Sequence, residues 1–198
     1  MSGTGARTAD SKIFFREFLR SPLVTASAIP SSRQLAEQMI APIPEHGDPV
    51  VVELGPGTGA FTRAIQRRLA GRGRHIAIEL NPRLAGVLAE RFPEVEVLIG
   101  DACTIPELLA ERGLSADVVI SGLPWAAYQG PLIPAIAEAM APTGTFTQFT
   151  YVWTRWAAPS RRQLAGLRGA FEEVVLSRTI WQNVPPALVY VSRRPRTA

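Results

Sequence analysis

Along this chain the hydrophobic pattern switches repeatedly between two periods. Short apolar or alternating runs predict strands at "VVVEL" (50–54), "HIAIEL" (75–80), "VEVLIG" (95–100), "DVVISG" (117–122), "TFTQFTYV" (145–152), "EEVVLSRTIW" (172–181) and "ALVYVSR" (187–193). Apolar residues spaced three or four apart predict helices at 60–70, 83–92, 105–112, 131–141 and 160–169. Alternation of the two argues for a mostly parallel sheet with helices on both faces. The last two runs are joined through "QNVPP" with no helix between them. A parallel crossover needs about a dozen residues, so this pair predicts an antiparallel hairpin strand. The expectation is an α/β fold with seven strands, all parallel but one.

Two helical segments precede the first strand. "DSKIFFREFLRS" (10–21) sets Ile13, Phe14, Phe15, Phe18 and Leu19 among Lys12, Arg16 and Arg20. "PSSRQLAEQMIAPI" (30–43) opens with Pro30 and two serines able to cap a first turn. Residues 1–45 therefore read as an N-terminal helical extension, a lid or membrane anchor, and 46–198 as the main domain. The phenylalanine stripe with cationic flanks suits an interfacial helix or a helix packed on its own domain, and pattern alone leaves both open.

Composition narrows the class. Hydrophobic residues make 46% and charged residues 19% of 198, a globular balance with enough chain for one full core. One cysteine, Cys103, excludes an internal disulfide and suits a reducing, cytoplasmic compartment. The polar start "MSGTGARTAD" gives no secretory signal, and no apolar run approaches membrane-spanning length. The net charge of +4 conceals a division: +3 over residues 1–35, −5 over 36–149 and +6 over 150–198. Basic ends around an acidic middle suit a positive face toward nucleic acid, anionic membrane or phosphate. No cluster with metal-ligand spacing occurs, so no metal is expected.

The chemistry begins in "VVELGPGTGAF" (51–61), where a strand meets Gly55, Gly57 and Gly59 and then a helix. Glycines allow positive φ and close backbone approach to a ligand, and the following helix aims N–H groups at it. No G-K-[ST] follows, which excludes the P-loop, and Ala60 stands where a dinucleotide loop places its third glycine. Glu79 ends the second strand, where a ribose diol would be held. Both NAD and S-adenosylmethionine carry such a diol. Asp101, followed by Ala102, ends the third strand, where a carboxylate accepts from the exocyclic amine of adenine.

In that order the three signals resemble motifs I, II and III of the class I S-adenosylmethionine-dependent methyltransferases. Glu53 matches the acidic residue of motif I. The resemblance implies a Rossmann-like class I fold, S-adenosylmethionine as cofactor, and Glu53, Gly55, Gly57, Gly59, Glu79, Leu80, Asp101, Ala102 and Ser121 as its binding residues. The acceptor motif of this class follows strand four and here reads "SGLPWAAY" (121–128). In the rRNA and adenine-N6 methylating relatives an Asn or Asp precedes the "-x-P-aromatic" by one position. Aligned on Pro124, this chain has Gly122 there and keeps Trp125 as the aromatic. Glycine supplies no side-chain acceptor, so no nucleic-acid partner is expected.

End to end, the chain resembles the bacterial phospholipid N-methyltransferases that convert phosphatidylethanolamine to phosphatidylcholine. "FLRSPLVTASAIPSSRQLAEQM" (18–39), "VVELGPGTGAFT" (51–62), "SGLP" (121–124), "FTQFTY" (146–151) and "NVPPALVYVSRR" (183–194) carry the resemblance. It implies a phospholipid or lipophilic amine as substrate and peripheral contact with anionic membrane through the first helix. The aromatics Trp125, Trp153 and Trp156 depart from the family pattern and leave a small-molecule amine open as an alternative acceptor. Gly122, Leu123, Pro124, Trp125 and Arg155 are the expected substrate contacts, with Arg155 suited to a lipid phosphate. Tyr128 and Tyr151 are the candidate groups for relieving the amine of its proton. His46 and His75 lie away from the strand ends where this fold works.

Overall fold

The computed structural model describes residues 32–124 and 130–196. Its strands are β1 (Val50–Leu54), β2 (Arg74–Glu79), β3 (Glu96–Ile99), β4 (Ala116–Ser121), β5 (Met140–Tyr151), β6 (Phe171–Leu176) and β7 (Ala187–Pro195). They form one sheet in the order β3-β2-β1-β4-β5-β7-β6. Every neighbouring pair is parallel except those made by β7, which runs antiparallel to β5 and β6. The reversed strand is inserted between its neighbours, so "QNVPP" does close an antiparallel hairpin. Among the described residues there are six α-helices: α1 (Arg33–Ile40), α2 (Ala60–Leu69), α3 (Pro82–Arg91), α4 (Ile105–Ala110), α5 (Leu132–Ala139) and α6 (Ala158–Ala170).

Alternation along the strands sends side chains to two cores. On one face Val51, Val118, Ile120 and Val189 pack against α1 and α2 through Leu35, Met39, Phe61 and Ile65. On the same face, Leu88 and Phe92 bring α3 onto Ala77 of β2. On the other, Val52, Leu54, Ile76, Val119 and Phe146 meet Leu109, Ile136 and Leu167 of α4, α5 and α6. Local chemistry fixes the helix starts. Ser32 Oγ accepts from Leu35 N–H (3.2 Å) at α1. Asn81 Oδ1 accepts from Arg83 N–H (3.0 Å) at α3, where Pro82 occupies the first turn.

Two boundaries differ from the pattern-based expectation. The run through 181 leaves the sheet after Leu176, because Ser177 begins to pair through its side chain. Its Oγ accepts from Val189 N–H (2.9 Å) while its own N–H donates to Val189 O (2.9 Å). Only Ile180 returns, as an isolated bridge to Ala187. The fifth strand begins at Met140, where the pattern had extended a helix to 141, and its register against β4 shifts between Ala116 and Val118. A Cβ on Gly144 there would lie 2.9 Å from Ala141 O and 3.0 Å from Ala116 O, so this turn of chain requires glycine. The expected first helix (10–21) lies outside the described residues.

Candidate active site

Because β1 to β6 run parallel, their C-terminal ends form one edge of the sheet, and the start of β7 joins it. The predicted cofactor residues that end β1, β2, β3 and β4 gather on this edge. Gly55 (φ +65°), Gly57 (φ +53°) and Gly59 (φ +83°) all adopt left-handed backbone, and Gly59 is the N-cap of α2. Glu79, almost fully buried, braces the loop. Its Oε2 accepts from Gly57 N–H (3.1 Å) and its Oε1 from Asn81 N–H (2.9 Å). Arg91 adds a donor from α3 to Thr58 O (3.1 Å). Asp101 follows one step out on the sheet, placed by the bond from Gly100 N–H to Glu79 O (3.1 Å). Its Oδ1 accepts from Cys103 N–H (3.0 Å), capping a short 3-10 turn at Ala102–Thr104. Leu80 and Ile99 are large apolar side chains left exposed at the same ends of β2 and β3.

Glycine loop and acceptor motif interlock. Gly122 N–H extends the β1–β4 ladder to Leu54 O (2.9 Å). A Cβ on Gly122 would stand 2.8 Å from Gly55 O, and one on Gly55 would stand 2.4 Å from Leu123 Cδ2. Each glycine thus makes room for the other motif. Ser121 is buried, and its Oγ accepts from Leu123 N–H (3.2 Å), turning the chain toward Pro124. Trp125 and Tyr128 lie outside the described residues.

Glu53 sits beneath the loop rather than in it. It is fully buried against α2, with Oε2 accepting from Thr62 Oγ1 (2.7 Å) and from His75 Nε2 (3.2 Å). The Gln66 amide nitrogen faces His75 Nδ1 at 2.8 Å, which leaves the ring proton on Nε2, aimed at Glu53. Glu53 Oε1 is a buried acceptor with no hydrogen-bond partner among the described residues. Thr62, Gln66 and His75 escape a sequence reading because the strand-to-helix contact leaves no spacing signature. His75 serves this carboxylate from the far end of β2.

On the β5 side, Tyr151 stacks on Trp153 (centroids 6.4 Å, 7°) and meets Phe149 edge-on at 5.6 Å. Burial pushes its phenol above the ordinary value of 10.0. Gln148, in register with Ser121, is buried, and its Oε1 accepts from Gln163 Nε2 of α6 (2.8 Å). Gln148 belongs to the "FTQFTY" run, but its α6 partner had no signal in the sequence. Arg155 lies exposed with its guanidinium over the Trp156 ring, 4.6 Å from the centroid.

Sheet order, the reversed β7, the glycine loop after β1 and the carboxylates ending β2 and β3 define a class I methyltransferase fold. Comparison with known proteins agrees. No protein-family profile matches the chain. The ornithine lipid N-methyltransferase of Singulisphaera acidiphila is 33% identical over 192 residues, covering 93% of this chain and 96% of that protein. The ribosomal RNA small subunit methyltransferase A of Geobacter metallireducens is 39% identical over 83 residues, only 39% of this chain and 29% of that one. Human methyltransferase-like protein 13, solved in complex with SAH, superposes with a TM-score of 0.62 at 16% identity, over 83% of this chain and 82% of that one. The chain belongs to the same family as the Singulisphaera lipid N-methyltransferase and is an S-adenosylmethionine-dependent methyltransferase.

Proposed function

We propose that the protein transfers a methyl group from S-adenosylmethionine to the amine of a lipid head group at a membrane surface. The observation that carries this is the end-to-end relation to a lipid N-methyltransferase, 33% identical over nearly the whole of both chains. The acceptor motif supports it from the other side. An Asn side chain at 122 would begin 2.8 Å from Gly55 O, so the adenine-type arrangement does not fit this backbone. Shared sequence with the rRNA enzyme covers only 39% of this chain.

Residues present fit the donor. A Cβ on Gly57 would meet nothing within 4 Å, so the loop presents bare backbone to open space. Glu53 Oε1 is a spare buried acceptor under the same loop. In this reading Gly55, Gly57 and Gly59 cradle the donor, Glu79 and Asp101 receive hydrogen bonds from its ribose and adenine, and Leu80, Ala102 and Ser121 line it. Bound there, S-adenosylmethionine supplies an electrophilic methyl on a sulfonium, so the protein's contribution is mainly alignment. The nucleophile is a neutral amine, so its ammonium gives a proton to solvent water before the N–C bond forms and the donor's S–C bond breaks. Tyr151, with its phenol raised by burial, stays protonated at neutral pH. It orients the amine through its oxygen lone pairs and does not act as a phenolate. Gly122, Leu123, Pro124 and Trp125 flank the amine, Arg155 takes the head-group anion, and Tyr128 is the second candidate hydroxyl to hydrogen-bond the amine. The first helix adds a membrane contact.

Purified protein with methyl-labelled donor is offered phosphatidylethanolamine or ornithine lipid in vesicles, and soluble amines separately. Label in one or both lipids is expected. Turnover confined to soluble amines would overturn the lipid assignment.

A further inference from the structure

We infer that the loops following β5 and β6 form a docking crest that seats the reaction edge on an anionic lipid bilayer. The inference rests on the lipid-substrate reading and adds to the first helix a second contact, built from the folded domain. Among the described residues the four most exposed large hydrophobic side chains are Trp181 (73%), Trp156 (71%), Trp153 (66%) and Val184 (66%). All four lie on two adjacent loops. Val152 N–H donates to Pro186 O (3.0 Å), and Ile180 bridges Ala187 at the start of β7, tying one loop to the other. Three exposed tryptophans on one edge gain nothing in water, whereas an indole has its preferred place at a membrane interface.

Hydrogen bonds within each loop fix its shape. Thr154 Oγ1 donates to Tyr151 O (2.9 Å), and Asn183 Nδ2 donates to Pro185 O (2.8 Å). Trp153 is held against Tyr151, so the crest is continuous with the site it would deliver to the lipid. The charge matches the same partner. Arg155 lies over Trp156, Arg178 is on the second loop, and Arg161 and Arg162 are early in α6; all four are exposed and none is ion-paired among the described residues. Residues 152–162 and 177–186 contain no Asp or Glu. The nearest acids in sequence, Glu172 and Glu173, open β6 at the opposite edge and are paired with Arg194 and Arg193. Exposed aromatics and unpaired guanidinium groups on the same loops and the helix that follows suit anionic head groups over an apolar layer. Asn183 Oδ1 also accepts from Ser32 N–H (2.9 Å), so the described part of the chain begins at this crest.

The full-length protein is tested by co-sedimentation with vesicles of phosphatidylglycerol and phosphatidylcholine, which contain no amine acceptor. Partitioning is expected to fall with salt. It should drop at least about tenfold in Trp156→Ala/Trp181→Ala, and about fivefold per arginine in Arg161→Glu/Arg162→Glu. Phosphatidylcholine brominated in its acyl chains should quench wild-type tryptophan emission, and most of that quenching should vanish in the double tryptophan variant. Unchanged melting temperature and unchanged S-adenosylhomocysteine binding would show that both variants are folded. Wild-type partitioning in both variants would overturn the crest and leave residues 1–31 as the membrane contact. A variant-induced change of oligomeric state without vesicles would overturn it in favour of a second copy. The two readings fail separately. A crest that does not bind leaves methylation of detergent-dispersed lipid intact, and a wrong acceptor leaves vesicle binding intact.

Discussion

Gly122→Ala tests the interlock between donor loop and acceptor motif with a single methyl group. The new Cβ would lie 2.8 Å from Gly55 O, and that oxygen is backbone, so no side-chain rotation relieves it. Carbon–oxygen contacts of this kind settle at about 3.3 Å or more, so the two segments must separate by roughly half an ångström. Overpacking of this sort costs about 1–3 kcal/mol, or about 2–12 °C in melting temperature for a domain of this size. The strain falls on Gly55, two residues before the amide that Glu79 Oε2 accepts from at 3.1 Å. Loss of a hydrogen bond to a charged group costs about 1.5–3 kcal/mol, so S-adenosylhomocysteine affinity should fall at least about tenfold. Thermal melting and calorimetric titration read the two effects. Gly86→Ala is the control: it is exposed on α3 with nothing within 4 Å, and it should gain about 0.5–1 kcal/mol. A Gly122→Ala protein melting within about 1 °C of wild type, with unaltered affinity, would refute the interlock. Gly122→Asn should be no better folded and should gain no activity on RNA.

Gly57→Ala separates shape from stability. Its Cβ meets no protein atom, so the free protein loses only the left-handed backbone cost of about 1–2 kcal/mol, while S-adenosylhomocysteine binding by titration falls further than that. Tyr151→Phe keeps the stack on Trp153 and removes the hydroxyl, so kcat on lipid should fall by about tenfold or more with donor binding unchanged. Glu96 gives a pH prediction. Partial burial disfavours its charge, but hydrogen bonds from Arg112 (2.7 Å) and Arg74 (2.9 Å), with their charges, outweigh this and hold the carboxyl below its usual 4.5. A lowered value stabilises the fold above pH 4.5, and that contribution disappears as the pH falls through the lower folded value. Glu96→Gln should therefore melt lower at pH 7 by an amount equivalent to about 0.5–1 kcal/mol, given its one-third exposure. The difference should close on acidification.

Much of this was legible because it is local. The glycine loop, Glu79 and Asp101 stand at strand ends, and strand ends are marked by the change of hydrophobic period. The reversed last strand followed from the short "QNVPP" connection. What was not legible depends on contacts distant in sequence. Ser177 ended a strand whose alternation continued to 181, because its hydroxyl found Val189 across the sheet. Glu53 matched a motif, yet its setting depends on Thr62, Gln66 and His75 converging from a helix and a second strand. Gly122 read as a missing acceptor in sequence. In space it is also a steric requirement set by Gly55.

The clasp between Asn183 and Ser32 has a practical side. The chain enters the described fold at the reaction edge, whereas it leaves at Arg196, whose N–H donates to Ala170 O (2.8 Å) at the far end of α6. Under the proposed lipid reading, a label attached at Ser32 itself would sit at the edge that meets lipid. A label attached at Arg196 would sit at the opposite edge of the sheet, so in a vesicle assay the two attachment points report on different faces of the fold.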